Sequence, residues 1–313
     1  MNTPARLAAG LAAALAAALA VASAHAAAPA VTFHYAQVDD VRVFYREAGD
    51  PKAPTVLLLH GLPSSSFMYR ELIPMLADRY HVIAPDLPGF GFTEAPPRDK
   101  YAYTFDNLAK TIDRFTDVVG IDQYAIQVFD YGAPVCWRLA TAHPERITAI
   151  VSQNGNAYED GLGELWAPIK RYWNAPTAAN RDALRSMFTP EGIQWQYTHG
   201  APDAMRIAPE TYTLDNERLA RPGNLDIQLD LMLDYRTNVA MYPQLQKYFR
   251  DRKPPLLAVW GRNDAIFIPA GAEAFKRDLP DAEVRFYDTG HFALESHVQE
   301  IGPVIRAFLD ANL

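Results

Sequence analysis

The stretch Tyr124-Ala125-Ile126-Gln127-Val128-Phe129-Asp130-Tyr131-Gly132-Ala133-Pro134 decides both the architecture and the chemistry of this chain. An apolar, β-branched run comes first, then a sharp turn, then a helical pattern through Arg138 and Ala142. A strand, a tight turn and a helix in that order make an elbow that presents one side chain at the top of a sheet. Here that side chain is the carboxylate of Asp130. No glycine in the chain is followed by Ser or Cys two places on and Gly two further, so no serine or cysteine elbow competes with it. A carboxylate nucleophile suits attack on a saturated, electrophilic carbon and is poorly suited to ordinary esters or amides.

The flanking sequence supplies the sheet that such an elbow needs. Strands are expected at 31–38, 41–47, 55–59, 81–84, 124–129, 147–152, 256–260 and 283–287, several of them continuous apolar runs typical of burial on both faces. Helical spacing recurs between them at 70–77, 103–119, after the elbow, at 271–277 and at 298–309. This alternation predicts an eight-stranded, mostly parallel sheet with helices on both faces. The pattern breaks at Asn154. Residues 155–248 hold no run that reads as a buried strand, only helical segments at 166–173, 181–188, 225–235 and 242–249, rich in Trp, Tyr and Pro. A helical cap inserted after the sixth strand is expected there, dividing the core into 27–154 and 249–313.

The first 26 residues read as a signal peptide. Arg6 gives a positive start, 7–22 an alanine-rich apolar run, and Ala24-His25-Ala26 a cleavage site, so a periplasmic or secreted mature chain of about 287 residues is expected. The formal net charge of −8 gives no electrostatic case for nucleic-acid binding. No further apolar stretch of membrane length follows. The single cysteine, Cys136, falls on the helix after the elbow and is expected to be a small buried apolar residue. No Cys/His cluster has metal spacing, and Gly89-Phe90-Gly91 lacks the third glycine of a dinucleotide loop, so neither a metal nor a cofactor is expected.

Ligands of such sheets bind outside the carboxyl ends of the strands. Four strand ends carry candidate groups: His60-Gly61-Leu62-Pro63, Asp130, Gly261-Arg262-Asn263-Asp264 and Thr289-Gly290-His291-Phe292. The order nucleophile, acid, histidine is that of α/β-hydrolases. At these residues the chain resembles the aspartate-nucleophile branch of the α/β-hydrolase superfamily, the epoxide hydrolases and haloalkane dehalogenases. Asp86-Leu87-Pro88-Gly89-Phe90-Gly91-Phe92-Thr93 is similar to the loop that follows the fourth strand in that superfamily.

The resemblance implies a two-step reaction. Asp130 attacks carbon and becomes an alkyl ester. His291 then acts as general base for water, oriented by Asp264. By resemblance the oxyanion donors are the backbone N–H groups of Leu62 and Tyr131. His60 is expected to support its loop. Asn154 is expected either to orient a group near the site or simply to form a turn.

The leaving group distinguishes the two activities. Haloalkane dehalogenases resemble one another in placing Trp after the nucleophile and often Asn in the HG-x-P loop, whereas this chain has Tyr131 and Leu62. Trp166, Trp173 or Trp195 could compensate. Tyr235-Arg236 resembles the Tyr-Arg motif of epoxide hydrolases, and Tyr172 resembles their first tyrosine in position, so Tyr235 and Tyr172 are the expected leaving-group donors. The expectation is opening of epoxides to diols on a small apolar or aromatic substrate, with dehalogenation, another hydrolysis on this fold, or ligand binding without turnover as alternatives.

Overall fold

The computed structural model describes residues 29–313, so the expected signal peptide lies outside the described residues. Eight strands form one sheet: β1 (Thr32–Val38), β2 (Val41–Ala48), β3 (Thr55–Leu59), β4 (His81–Pro85), β5 (Tyr124–Phe129), β6 (Ile147–Gln153), β7 (Leu256–Gly261) and β8 (Glu283–Tyr287). Their order is β1-β2-β4-β3-β5-β6-β7-β8. Only β2 runs antiparallel to its neighbours β1 and β4. The other pairs are parallel, as the alternating sequence pattern requires.

The helices of the core are α1 (Leu72–Leu76), α2 (Phe105–Val118) and α3 (Gly132–Ala142) before β6. Between β6 and β7 every described helical or strand element is helical: α4 (Ala167–Asn174), α5 (Ala178–Asp182), α6 (Pro190–Thr198), α7 (Pro209–Leu219), α8 (Asn224–Asp234) and α9 (Arg236–Arg252), with short 3-10 turns among them. After β7 come α10 (Ala270–Ala274) and α11 (Ala293–Asn312).

Central strand β5 shows why helices cover both faces. All six of its residues are buried. Tyr124, Ile126 and Val128 pack into one cluster with Phe105, Ile112 and Trp137 of α2 and α3. Ala125 and Phe129 point the other way, into a cluster with α1 and α11 through Leu72, Ile301 and Ile305. Residues alternate across a strand, so a strand apolar at every position must be covered twice.

Three local expectations are corrected. The helix expected over 181–188 is broken: α5 ends at Asp182 and a 3-10 turn runs Arg185–Phe188. Pro190 holds Thr189 extended, at ψ 159°, so no continuous helix can run from this turn into α6. Helices α6 and α7 have no counterpart in the expected pattern. Both carry polar groups on more than one face, but each begins with proline followed by glutamate, Pro190-Glu191 and Pro209-Glu210, a start signal independent of apolar periodicity. Finally, α11 begins at Ala293 rather than at 298, because it bends at His297 (φ −131°) and its first turn breaks the period.

Candidate active site

The elbow is built from close backbone approaches. Asp130 sits at the end of β5 in the left-handed region, at φ +47°. Such a conformation costs a non-glycine residue about 1–3 kcal/mol and persists only where the surroundings impose it. Gly132 is imposed in turn, since a side chain there would press on the carbonyl of Leu59. Gly61 is equally constrained: a Cβ would strike Tyr131 N and the Asp130 side chain. That approach brings the β3 loop onto the elbow. Leu62 N–H and Tyr131 N–H both donate to Asp130 Oδ1, at 2.7 and 2.6 Å. Oδ1 is thereby held in a two-donor cradle, and Oδ2 is left to face His291.

His291 follows β8 and is buried. Its Nδ1 lies 2.9 Å from Asp264 Oδ2, and its Nε2 lies 3.7 Å from Asp130 Oδ2, too far for a hydrogen bond. Nε2 has no hydrogen-bond partner among the described residues. Asp264 is itself fixed. Its Oδ1 accepts the N–H groups of Ile266 (2.8 Å) and Phe267 (3.1 Å), and its Oδ2 accepts Asn154 Nδ2 at 2.7 Å. Asn154 therefore fills both expected roles: it turns the chain at φ +47° after β6 and donates to the acid.

Burial works against a charge on His291, but Asp264, and then Asp130, more than compensate, and its pKa rises to about 9. The imidazole is thus protonated at neutral pH. His60 is different. Its Nε2 accepts Leu87 N–H at 2.9 Å, so its proton lies on Nδ1, 3.1 Å from the Gly61 carbonyl. Burial lowers its pKa, and the neutral ring braces two loops. Cys136 is fully buried and its thiol pKa is pushed up by that burial.

A cavity of about 300 Å³ opens over Asp130. Leu62, Asp130 and Tyr131 form its base, Trp166, Ile169, Met187, Trp195 and Met232 its largely apolar walls. The expected donors fall differently around it. Tyr172 does not line the cavity. Its hydroxyl lies away from the cavity, where it accepts Arg181 Nη1 at 2.9 Å. Tyr235 lies one ring behind the wall, fully buried, its ring centroid 4.7 Å from Trp166 and 5.9 Å from Tyr131. Its hydroxyl faces that of Tyr242. The indoles of Trp166 and Trp173 donate to the carbonyls of Ile266 and Met232, both at 2.7 Å. Trp195 does line the cavity, at its exposed rim.

The fold and the sequence are similar to those of known proteins. The sequence profile described as alpha/beta hydrolase fold matches residues 54–298. The chain belongs to the alpha/beta hydrolase family. It is 48% identical over 285 residues to an uncharacterized hydrolase of Saccharomyces cerevisiae, YNR064C, covering 90% of this chain and 98% of that protein. It is 29% identical over 241 residues to haloalkane dehalogenase 2 of Mycobacterium tuberculosis, covering 73% and 77%. Among solved structures the epoxide hydrolase CorEH aligns with a TM-score of 0.73 at 19% identity, over 90% of this chain and 99% of that one. The chain is therefore an alpha/beta hydrolase related to haloalkane dehalogenases and epoxide hydrolases.

Within this hydrolase the elbow, the acid and the histidine meet as the sequence order implies, and the N–H groups of Leu62 and Tyr131 meet at Asp130 Oδ1. The cavity walls were not legible. Ser186, Met187, Gly192 and Gln196 come from the broken 185–188 turn and from α6. The signal for α6 was Thr189 ahead of Pro190: the Thr189 hydroxyl accepts Gly192 N–H and caps the helix.

Proposed function

We propose that this hydrolase opens epoxides to diols through an alkyl ester on Asp130. The observation that carries the reading is the pair of phenols behind the nucleophile. Tyr131 and Tyr235 lie with ring centroids 5.9 Å apart, and burial, reinforced by the charge of Asp130, raises both pKa values well above the ordinary 10.0. Phenols that stay protonated beside a carboxylate are proton donors for a nascent alkoxide. The nearby indoles of Trp166 and Trp173, which would suit a halide, are spent on backbone carbonyls.

The steps follow from the contacts. Oδ2 of Asp130 attacks the less hindered ring carbon, the C–O bond breaks, and Tyr235 protonates the alkoxide. Trp166 separates Tyr235 from the cavity and must yield for this transfer. Esterification removes the charge of Asp130, which lowers the His291 pKa, and the proton His291 sheds restores the phenol. Neutral His291 then takes a proton from water through Nε2, and the hydroxide attacks Cγ. The oxyanion forms at Oδ1, already cradled by Leu62 and Tyr131 N–H. Collapse releases the diol and returns Asp130 to a carboxylate.

Dehalogenation is a second reading, favoured by Trp195, whose indole lines the cavity and makes no hydrogen bond among the described residues. Turnover of paired substrates separates the two. Styrene oxide and 1-bromobutane are supplied in parallel, and diol and bromide are measured. Diol without bromide supports epoxide opening; bromide without diol overturns it.

A further inference from the structure

A second cavity lies in the helical insertion, and nothing in the proposed reaction uses it. It measures about 380 Å³ and sits among the 185–188 turn, α7 and α8, lined by Arg185, Phe188, Leu219, Arg221, Leu225 and Gln228 with their neighbours. Its charges are unbalanced. Asp226 faces it but is tied to Arg181 at 3.1 Å, and Arg185 is paired with Asp182 at 2.7 Å. Arg221 is half-buried, donates Nε–H to the Arg218 carbonyl at 2.8 Å, and has no carboxylate within salt-bridge distance among the described residues. Burial, then the charge of Arg218, already lowers its pKa, so an anion beside it relieves an unmet cost.

The wall between this cavity and the one over Asp130 is thin. Ser186 and Met187 face the Asp130 cavity, while Arg185 and Phe188 of the same turn face the second. On α8, Gln228 lines the second cavity and Met232 the first. These two are one helical turn apart, about 6 Å at 1.5 Å per residue. Two flexible methionines, Met187 and Met232, stand on the wall, and methionine repacks around a guest more readily than branched residues do. Gln228, fully buried in that wall, keeps Oε1 without a donor among the described residues.

We propose that Arg221 is the anion subsite for an elongated substrate, one whose electrophilic carbon sits at Asp130 and whose apolar chain passes Met187 and Met232 to end in a carboxylate. One free guanidinium among Phe188, Leu219 and Leu225 suits a monoanion on a hydrocarbon chain. A phosphate dianion would call for more donors. The electrophile's identity rests on the epoxide reading; the anion subsite does not.

The test therefore has two arms. Decanoate and decanol are unreactive, and their binding is measured by calorimetry on the wild-type protein and on Arg221→Gln. The wild type should bind decanoate about tenfold more tightly than decanol, the scale of one charge-assisted hydrogen bond. Arg221→Gln should erase that gap while leaving decanol binding and the thermal unfolding midpoint unchanged. No preference for decanoate, or a preference that survives in Arg221→Gln, overturns the subsite whether or not any epoxide turns over. In the second arm, kcat/KM is compared for 10,11-epoxyundecanoate and its methyl ester. Arg221→Gln should lower the acid's value about tenfold and spare the ester's; equal loss for both places Arg221 in structure rather than in recognition.

Discussion

Asn154 donates its side-chain amide to Asp264 at 2.7 Å, on the same carboxylate oxygen that faces His291 at 2.9 Å. The acid's position is thus set from β6 as well as from its own loop. Asn154 stands at φ +47°, which glycine adopts freely. Asn154→Gly consequently removes the donor without straining the backbone. It should lower kcat about tenfold, for a lost hydrogen bond of about 1.5 kcal/mol. KM should hold, because Asn154 does not line the cavity. Steady-state kinetics check this; an unchanged kcat would confine Asn154 to the turn.

The His291 pKa of about 9 depends on two carboxylates. Asp130→Asn removes one of them, and the pKa should fall toward the ordinary 6.5, with Asp264 still holding it up. Titration of the His291 ring by NMR reads this directly. A folded-state pKa raised above the unfolded one adds stability that is complete below pH 6.5 and lost as pH rises through about 9. Over that window the Asp130→Asn variant should lose less stability than the wild type. Identical pH dependence in the two proteins would show that the Asp130–His291 pair at 3.7 Å carries no coupling.

Gly61 decides whether the oxyanion cradle closes. Gly61→Ala should push the β3 loop off Tyr131 N and Asp130, carrying Leu62 N–H out of reach. Removing one such donor costs roughly 3 kcal/mol in the transition state, about a hundredfold in rate. The loss should fall on the ester-hydrolysis step, so rapid-quench experiments should find alkyl-enzyme accumulating. A variant that stays folded and hydrolyses the ester at the wild-type rate would remove Leu62 from the cradle.

Away from the site, Asp215 is buried and accepts the Tyr197 hydroxyl at 2.5 Å between α7 and α6. Burial raises its pKa well above 3.8. For an acid, a raised folded-state pKa means stability that is present at low pH and eroded as pH climbs above the unfolded value. Asp215→Asn keeps the acceptor and discards the charge. Its thermal midpoint should exceed that of the wild type by a margin that widens with pH, measured by calorimetry from pH 5 to 9. A margin independent of pH would mean that burial does not raise the Asp215 pKa, the carboxyl being ionised in both the folded and the unfolded states across this range.

Tyr235 and Trp195 divide the two readings of the leaving group. Tyr235→Phe should slow epoxide opening about hundredfold, the usual scale of a lost general acid. Trp195→Phe should change it by less than about twofold, since the indole lies at the exposed rim and makes no hydrogen bond among the described residues. Stopped-flow measurement of the alkylation step checks both. The opposite ranking, on haloalkanes, would assign the leaving group to Trp195.

The sequence was informative where one residue type has one structural use. The central strands β3, β5 and β7 were legible because they are apolar at nearly every position, and such runs read as strands buried twice. The elbow and the residues at four strand ends were legible because the fold places them by chain order. The cavity was not, because its walls come from helices whose period is blurred by facing three environments. Helix α6 turns Trp195 and Gln196 to the cavity, Ile193 and Tyr197 to the core, and Gln194 to solvent. Tyr172 misled for a related reason. Its position resembles that of a donor, but only the fold shows that it does not line the cavity.

The most direct measurement is intact-mass spectrometry of His291→Gln after exposure to epoxides and haloalkanes. Without the base for the second step, the ester on Asp130 should persist. A gain equal to the whole mass of the epoxide, absent in the His291→Gln/Asp130→Asn double variant, is the expected result. A folded variant that gains only the alkyl group of a haloalkane, or forms no adduct with substrates the wild type turns over, would contradict epoxide opening by Asp130.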